Sequence, residues 1–249
     1  MAQASPTYTP QDALSLNQNL IHGSPTAAIQ AMACDIANSM IWTFYPWSWT
    51  LKSLTAIALV DGTQDYTPTD TDILRPIRIQ LVRTDTTPAE TRELGFLANL
   101  SPELSRKGGL ESNTNAGWYA ANNFIRLMYA ASIGTGQTLQ LQGIYQKVPS
   151  RIRDGDLKTT LAAPDRYFNV FAEGVLWQLY RLTDDPRAGG TQYRKNGGMD
   201  RVYTGQLAVF MDFLLGMART EDLATGDQFM WPESPLGVGR SYWPGLYGL

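Results

Sequence analysis

The chain has 249 residues, of which 17% are charged, and its formal net charge is −3. This balance excludes the strongly basic surface by which proteins grip nucleic acids. The one cysteine excludes an internal disulfide and a cysteine-based zinc site, and the one histidine removes most schemes in which an imidazole activates a nucleophile. We expect Cys34, which lies in a helical apolar pattern, to be a small core residue.

No stretch of the sequence approaches the ~20 apolar residues that a membrane-spanning helix needs. Residues 1–11 have neither a positive region nor an apolar run, so we do not expect a secretory signal there. We therefore expect a protein that is made and kept in a cytoplasm, or in a particle assembled there, without a membrane partner. The low charge and the abundance of aromatic residues favour a surface that meets protein more than water.

Two helices are predicted near the start of the chain. Thr9 has the character of a helix cap, Pro10 suits the first helical position, and Asp12 supplies an acid in the first turn. The tripeptide Ser24-Pro25-Thr26 repeats this start signal. The second helix should bury an apolar stripe at spacings of three and four, formed by Ile29, Met32, Ala33, Ile36, Met40 and Ile41.

The periodicity then changes to that of β-strands. The predicted elements are an alternating run Trp47, Trp49 and Leu51, a strand from Leu54 to Val60, a hairpin turn at Asp61-Gly62 with a returning arm at 64–67, a strand from Ile77 to Leu81, a short helix from Pro88 to Leu97, and a second hairpin from Phe124 to Tyr145. Residues 101–117 read as a loop.

Two further helices are predicted after the β region. The first begins at Ala163-Pro164-Asp165 and ends before Pro186, and the second runs from about Gln192 to Arg219, with Phe213 among its core residues. Strands clustered between helices indicate an α+β fold. We predict a helical bundle from residues 1–46 and 160–221, an inserted antiparallel β-hairpin subdomain at 47–159, and an extended C-terminal arm at 222–249.

This last segment, which we call the aromatic arm, combines large rings with Gly and Pro and has no periodicity. Its rings include Trp231, Tyr242, Trp243 and Tyr247. A helix or sheet cannot continue through so many Gly and Pro residues, and a solvated disordered tail should be poor in aromatic residues. The four rings therefore need a surface that buries them, which is either the flank of their own domain or another molecule.

Several residues are candidates for functional sites. Asp61, Asp65, Asp70 and Asp72 could supply oxygen ligands to calcium, but their spacing lacks the EF-hand order and suits ordinary turns better. Asp154 and Asp156 could be a glycosidase pair, but any chain with acidic residues offers such pairs. Trp47 and Trp49 could form a sugar-stacking platform, or they could anchor the junction between bundle and β region, the reading that we favour. We predict no catalytic, cofactor or metal site.

One set of residues resembles a known family. Ile41-Trp42, Pro46-Trp47-Ser48-Trp49, the strand Leu54 to Val60, the turn Asp61-Gly62-Thr63-Gln64-Asp65-Tyr66 and Ile73-Leu74-Arg75 are similar to the head-to-tail adaptor proteins of tailed bacteriophages. Those proteins have a helix that runs into a Pro-Trp element, a strand, a Gly-x-x-x-Tyr turn and a strand with an arginine. The resemblance covers residues 13–219 in element order.

The resemblance implies a virion structural protein without enzymatic activity. Such adaptors, made in the host bacterial cytoplasm, form a homo-oligomeric ring, commonly a dodecamer, at the head-tail junction. The ring binds the portal protein above and a tail nozzle or tail tube protein below, and DNA passes through its lumen without specific binding. Two alternatives stay open at this point. One is another tail-completion or tail-tube protein, and the other is a carbohydrate-binding module or glycan hydrolase that uses Trp47, Trp49 and acidic turn residues.

Overall fold

The structure is a computed structural model that describes residues 7–96, 117–121, 124–127, 130–195 and 199–225. Within these residues the fold is α+β, as the sequence predicts. The chain divides into two compact units. The described residues of the first, 7–49 and 149–225, form what we call the helical unit, and those within 50–148 form the β unit. The predicted loop at 101–117 lies almost wholly outside the described residues.

Four α-helices are described in the helical unit: α1 (Pro10–Asn17), α2 (Ala27–Phe44), α3 (Phe168–Leu182) and α4 (Gly205–Thr225). The predicted start signals of the first two are confirmed. Thr9 and Asp12 cap α1 reciprocally, and the Thr26 hydroxyl accepts a hydrogen bond from the Ile29 N–H. These caps satisfy backbone donors that the first turn of a helix leaves without partners.

Helix α3 lies at the centre of the helical unit and packs against α1, α2 and α4. Tyr8, just before α1, stacks on Phe168 at the start of α3 with ring centroids 4.1 Å apart. Further along, Trp177 stacks on the buried Phe210 of α4 at 5.7 Å. Helices from both ends of the described chain therefore share one core through α3.

Gly174 permits the close approach of three helices. A Cβ atom at this position would lie 2.8 Å from the Phe210 ring of α4 and 3.3 Å from the Ala37 Cβ of α2. We expect Gly174→Ala to lower the free energy of unfolding by about 1–3 kcal/mol, because a buried aromatic ring must shift to admit the methyl group. Urea unfolding followed by helical circular dichroism measures this change.

The same substitution at Gly216 of α4 is the matched control. A Cβ atom there would meet nothing within 4 Å. Gly216→Ala should therefore raise stability by about 0.5–1 kcal/mol, because alanine restricts the unfolded chain and favours helix. Equal effects of the two substitutions would contradict the packing described around Gly174.

The β unit contains one sheet of seven described strands: β1 (Leu51–Ala58), β2 (Asp65–Tyr66), β3 (Ile73–Arg83), β4 (Glu90–Phe96), β5 (Gly117–Ala121), β6 (Phe124–Leu127) and β7 (Leu139–Lys147). Their order is β1-β7-β3-β4-β5-β6-β2, with antiparallel pairs except for the short parallel pair β4/β5. One face of the sheet forms a core that includes Leu54, Ile79, Leu141 and Tyr145.

Several predictions about the β region are wrong in detail. Ser48–Thr50 form a 3-10 turn, so the first strand begins only at Leu51. The chain turns at Asp61-Gly62, but β1 pairs with β7 and β2 pairs with β6, so the predicted hairpin does not form. Likewise β6 pairs with β5 rather than with β7. The predicted helix at 88–97 is strand β4, which gains backbone hydrogen bonds from the edge of β3.

The last predicted helix is also corrected at both ends. Its first part is a hairpin of β8 (Thr191–Lys195) and β9 (Met199–Tyr203), whose strands pair antiparallel. Helix α4 then begins at Gly205 and continues to Thr225, into the first residues of the predicted arm. Trp231, Tyr242, Trp243 and Tyr247 lie outside the described residues, so their role as a partner interface stays a prediction.

Candidate functional site

An aromatic cluster surrounds the residues that follow α2. Trp47 is completely buried, its indole N–H donates to the Ile41 carbonyl at 2.6 Å, and its ring stacks on Trp49 at 5.2 Å. Tyr45 and Tyr167 contact the pair at ring-centroid distances of 4.8 to 6.3 Å. Because Trp47 is buried, it presents no face to a sugar, which corrects the alternative of an exposed platform. That the two tryptophans anchor a junction between subdomains stays a prediction.

A buried carboxylate joins this cluster to α4. Glu221 is 1% exposed and accepts hydrogen bonds from the Ser48 N–H at 3.0 Å, the Tyr167 hydroxyl at 2.7 Å and the Arg166 guanidinium at 3.2 Å. Burial by itself would raise the pKa of Glu221, but these hydrogen bonds and the Arg166 charge outweigh burial and lower the pKa. Burial and the bond to Glu221 raise the pKa of the Tyr167 hydroxyl. The Glu221 carboxylate itself is buried, and its hydrogen bonds link α4 to Ser48 and to the turn before α3.

The four aspartates that are candidate calcium ligands have separate partners. Among the described residues no group of three or more His, Cys, Asp or Glu side chains is placed to hold a metal ion. Asp70 accepts from the backbone and hydroxyl of Thr55, so its carboxylate covers part of the outer edge of β1. Asp61 accepts a hydrogen bond from the Ile133 N–H, and Asp65 forms an ion pair with Arg126. Asp72 accepts a hydrogen bond from the Tyr145 hydroxyl and forms an ion pair with Lys52.

Cys34 has the structural role that the sequence indicates. It is completely buried in α2, and burial, with a smaller contribution from Asp35, raises the pKa of its thiol to about 12. A thiol in this environment is almost entirely protonated at neutral pH, so it is a poor nucleophile.

An open groove lies between α3 and α4, within the helical unit. Its volume is about 460 Å³. Its lining, which defines the α3–α4 groove, consists of Arg166, Tyr167, Asn169, Val170, Asp212, Phe213, Gly216, Met217 and Thr220. Phe213 is 43% exposed at its wall, which corrects the prediction that it is a core residue.

Sequence reasoning missed both the groove and the Glu221 network. Glu221 meets Ser48, which lies 173 positions away in the chain, so no local spacing could have revealed the pair. The sequence of α4 contains a weak indication of the groove. Val209, Phe213 and Gly216 follow each other at spacings of four and three, which places them on one face of the helix. That stripe lies beside the true core stripe of the same helix, which is formed by Leu207, Phe210, Leu214 and Met217.

The groove and the exposed apolar side chains beside it are features of proteins that assemble with other proteins. The sequence matches the model of the SU10 adaptor protein family over residues 19–211, which is most of the chain and includes residues of both units.

The chain therefore belongs to the SU10 adaptor protein family, and it is a structural adaptor of a bacteriophage, a virion component rather than a member of a known enzyme class. No curated protein matches the chain. Among the described residues, none of the helices has the combined length and hydropathy that crossing a bilayer requires.

Proposed function

We propose that this adaptor forms a ring at the head-tail junction of the virion, where it joins the portal to the tail. The observation that supports the proposal most directly is the family match across residues 19–211, which spans the helical core and the strands of the β unit. The ring is a homo-oligomer, commonly of twelve copies in the adaptors that the chain resembles. Its other partners are the portal protein and a tail nozzle or tail tube protein.

The charge of the chain fits a ring whose lumen conducts DNA. Each phosphate that a lysine or arginine neutralises adds affinity, so a channel rich in such contacts would retain the genome. The chain has 20 Lys and Arg against 23 Asp and Glu, which gives a net charge of −3. We propose that DNA passes through the lumen without specific binding.

Mixing the purified adaptor with its portal tests this function. Mass photometry should detect a species heavier than the portal alone, and negative-stain microscopy should show a ring attached to one face of the portal. A monomeric adaptor by itself does not contradict the proposal, because the portal can nucleate the ring. Two separate species in the mixture, together with virions that contain no such ring, would contradict it.

The aromatic arm is proposed to tie the assembly together. Trp231, Tyr242, Trp243 and Tyr247 would bury their rings against another subunit, as the few anchors that contribute most to the energy of an interface.

Deletion of residues 231–249 should therefore leave the helical unit folded and reduce incorporation of the adaptor into particles. Thermal unfolding by circular dichroism and quantitative immunoblotting of purified virions measure the two effects. If the truncated protein loses its cooperative thermal transition, the arm instead belongs to the core of its own domain.

A further inference from the structure

The outer face of α4 exposes two large apolar side chains beside the α3–α4 groove. Val209 is 40% exposed and Phe213 is 43% exposed, whereas Phe210 and Leu214 on the same helix are buried. Residues four apart lie on one face of a helix, so Val209 and Phe213 form a continuous apolar strip. Such a strip in water favours a partner that covers it.

The groove next to this strip has space for a large side chain. Gly216 follows Phe213 by one helical turn, and a Cβ atom there would meet nothing within 4 Å. Val170 and Met217 provide apolar lining, and the volume of about 460 Å³ leaves room for a large side chain. The geometry suits a flat aromatic ring that enters beside Phe213.

Polar groups surround this apolar centre. Arg166 has a half-exposed side chain even though it also bonds Glu221, and its guanidinium lies over the Tyr167 ring at 4.6 Å. Asn169, Asp212 and Thr220 complete the lining. An apolar centre with a polar rim is the usual anatomy of a protein interface. The groove therefore fits a segment in which an aromatic ring stands close to an acid that can approach Arg166.

The chain itself contains such a segment. Helix α4 ends at Thr225, five residues after Thr220 of the groove, and the aromatic arm continues with Trp231-Pro232-Glu233. Tryptophan is among the commonest anchors of protein interfaces. The Trp231 ring suits the apolar wall of the groove. The Glu233 carboxylate, two residues further on, has the charge that complements Arg166 at the rim.

The direction of α4 favours a second copy of the chain as the source of this segment. The groove extends from Thr220 back toward Asp212, so a segment that leaves Thr225 would have to reverse its course to enter the groove of its own chain. The arm of a neighbouring copy is free of this constraint, because it starts from a different place. Rings are closed by heterologous contacts, in which different surfaces of adjacent copies meet.

We propose that the α3–α4 groove binds residues 226–249 of a second copy of this chain, with Trp231 as the anchor beside Phe213 and Glu233 opposite Arg166. The inference rests on the proposed ring, and it identifies the surface through which the aromatic arm would tie neighbouring copies. It also assigns a role to the half-exposed Phe213.

Site-specific cross-linking of the full-length chain tests the contact. Gly216→Cys protein is mixed with size-tagged Ser234→Cys protein and with portal, and a short bismaleimide is added. A cross-link between the two sizes can form only between copies, and the buried Cys34 thiol, with its raised pKa, contributes little background. We expect a strong mixed product. Gly155→Cys is the matched control, because Gly155 is equally open in the helical unit but lies outside the groove.

Each outcome decides a separate point. A mixed product with Gly216→Cys but not with Gly155→Cys supports the inference. Equal yields of mixed product with both variants overturn the inference. A double variant, Gly216→Cys/Ser234→Cys, carries both cysteines in one chain, and a cross-link that forms only within that chain also overturns the inference. Rings seen by microscopy without any cross-link overturn the groove contact and leave the ring intact. A mixed product without rings supports the contact and contradicts the proposed ring.

A substitution in the groove provides the second readout. Phe213→Ser should reduce the mixed product on the order of tenfold, the loss that truncating a central aromatic contact produces. Leu16→Ser removes a side chain that is 60% exposed on α1, outside the groove, and should leave the yield unchanged. Circular dichroism of both variants establishes that they are folded. Equal yields from the two folded variants would overturn the role of Phe213.

Discussion

Trp47→Ala is expected to lower the free energy of unfolding of the helical unit by about 3–5 kcal/mol, the usual cost of emptying a buried tryptophan site. Trp47 is completely buried and contacts Tyr45, Trp49 and Tyr167. Alanine removes these ring contacts together with the indole donor to the Ile41 carbonyl. The surrounding rings are too large to close the cavity without moving, so we place the loss in the upper part of this range.

Urea unfolding followed by the helical circular dichroism signal measures this loss, because all described α-helices lie in the helical unit. Trp47→Phe should cost less, since it keeps a ring in the site and loses only the donor and part of the volume. Phe213→Ala is the exposed aromatic control and should cost less than about 1 kcal/mol. A Trp47→Ala loss no greater than that of the control would contradict the aromatic cluster.

Glu221→Ala is expected to cost a similar amount, about 3–5 kcal/mol, because it leaves buried donors without their common acceptor. The donors are the Ser48 N–H and the Tyr167 hydroxyl, and Arg166 loses its ion pair. Glu221→Gln retains one oxygen acceptor and should cost roughly 1–3 kcal/mol. Asp212→Asn, an exposed position on the same helix, is the matched control and should have little effect on stability.

The pH dependence provides a sharper test of Glu221. The folded pKa of this carboxyl is lowered, so its contribution to stability is complete above the unfolded pKa and is lost as pH falls through the folded value. The stability difference between wild type and Glu221→Gln should therefore shrink as pH falls from about 7 to about 3, across the ~4.3 pKa of an unfolded glutamate. A difference that stays constant over this range would contradict the charged network.

The starts of α1 and α2 could be predicted from the sequence because the contacts that form them lie within a few residues. Thr9, Pro10 and Asp12 cap α1 through contacts within one turn, and Thr26 does the same for α2. The α+β class followed from the order of such elements. The turn at Asp61-Gly62 was also found, but a turn fixes only the chain direction and leaves the pairing partners of its flanking strands open.

The strand pairings and the candidate site depend on contacts that are distant in sequence. Lys52 of β1 pairs with Tyr145 of β7, and β4 exists as a strand because the edge of β3 offers it hydrogen bonds. The residues from 88 to 97 have caps and charges that suit a helix equally well, so tertiary pairing decides between the two. Tertiary packing also brings Glu221 and Ser48 together, and no periodicity in either segment predicts their contact.

The most direct test of the adaptor function is a cryo-electron microscopy reconstruction of the neck of the virion. We expect a ring between portal and tail into which the helical unit and the β unit can each be fitted, with copies joined through the α3–α4 groove. Density for this chain at another place in the particle, such as the tail tube, or its absence from purified virions, would show that it is not the adaptor between portal and tail.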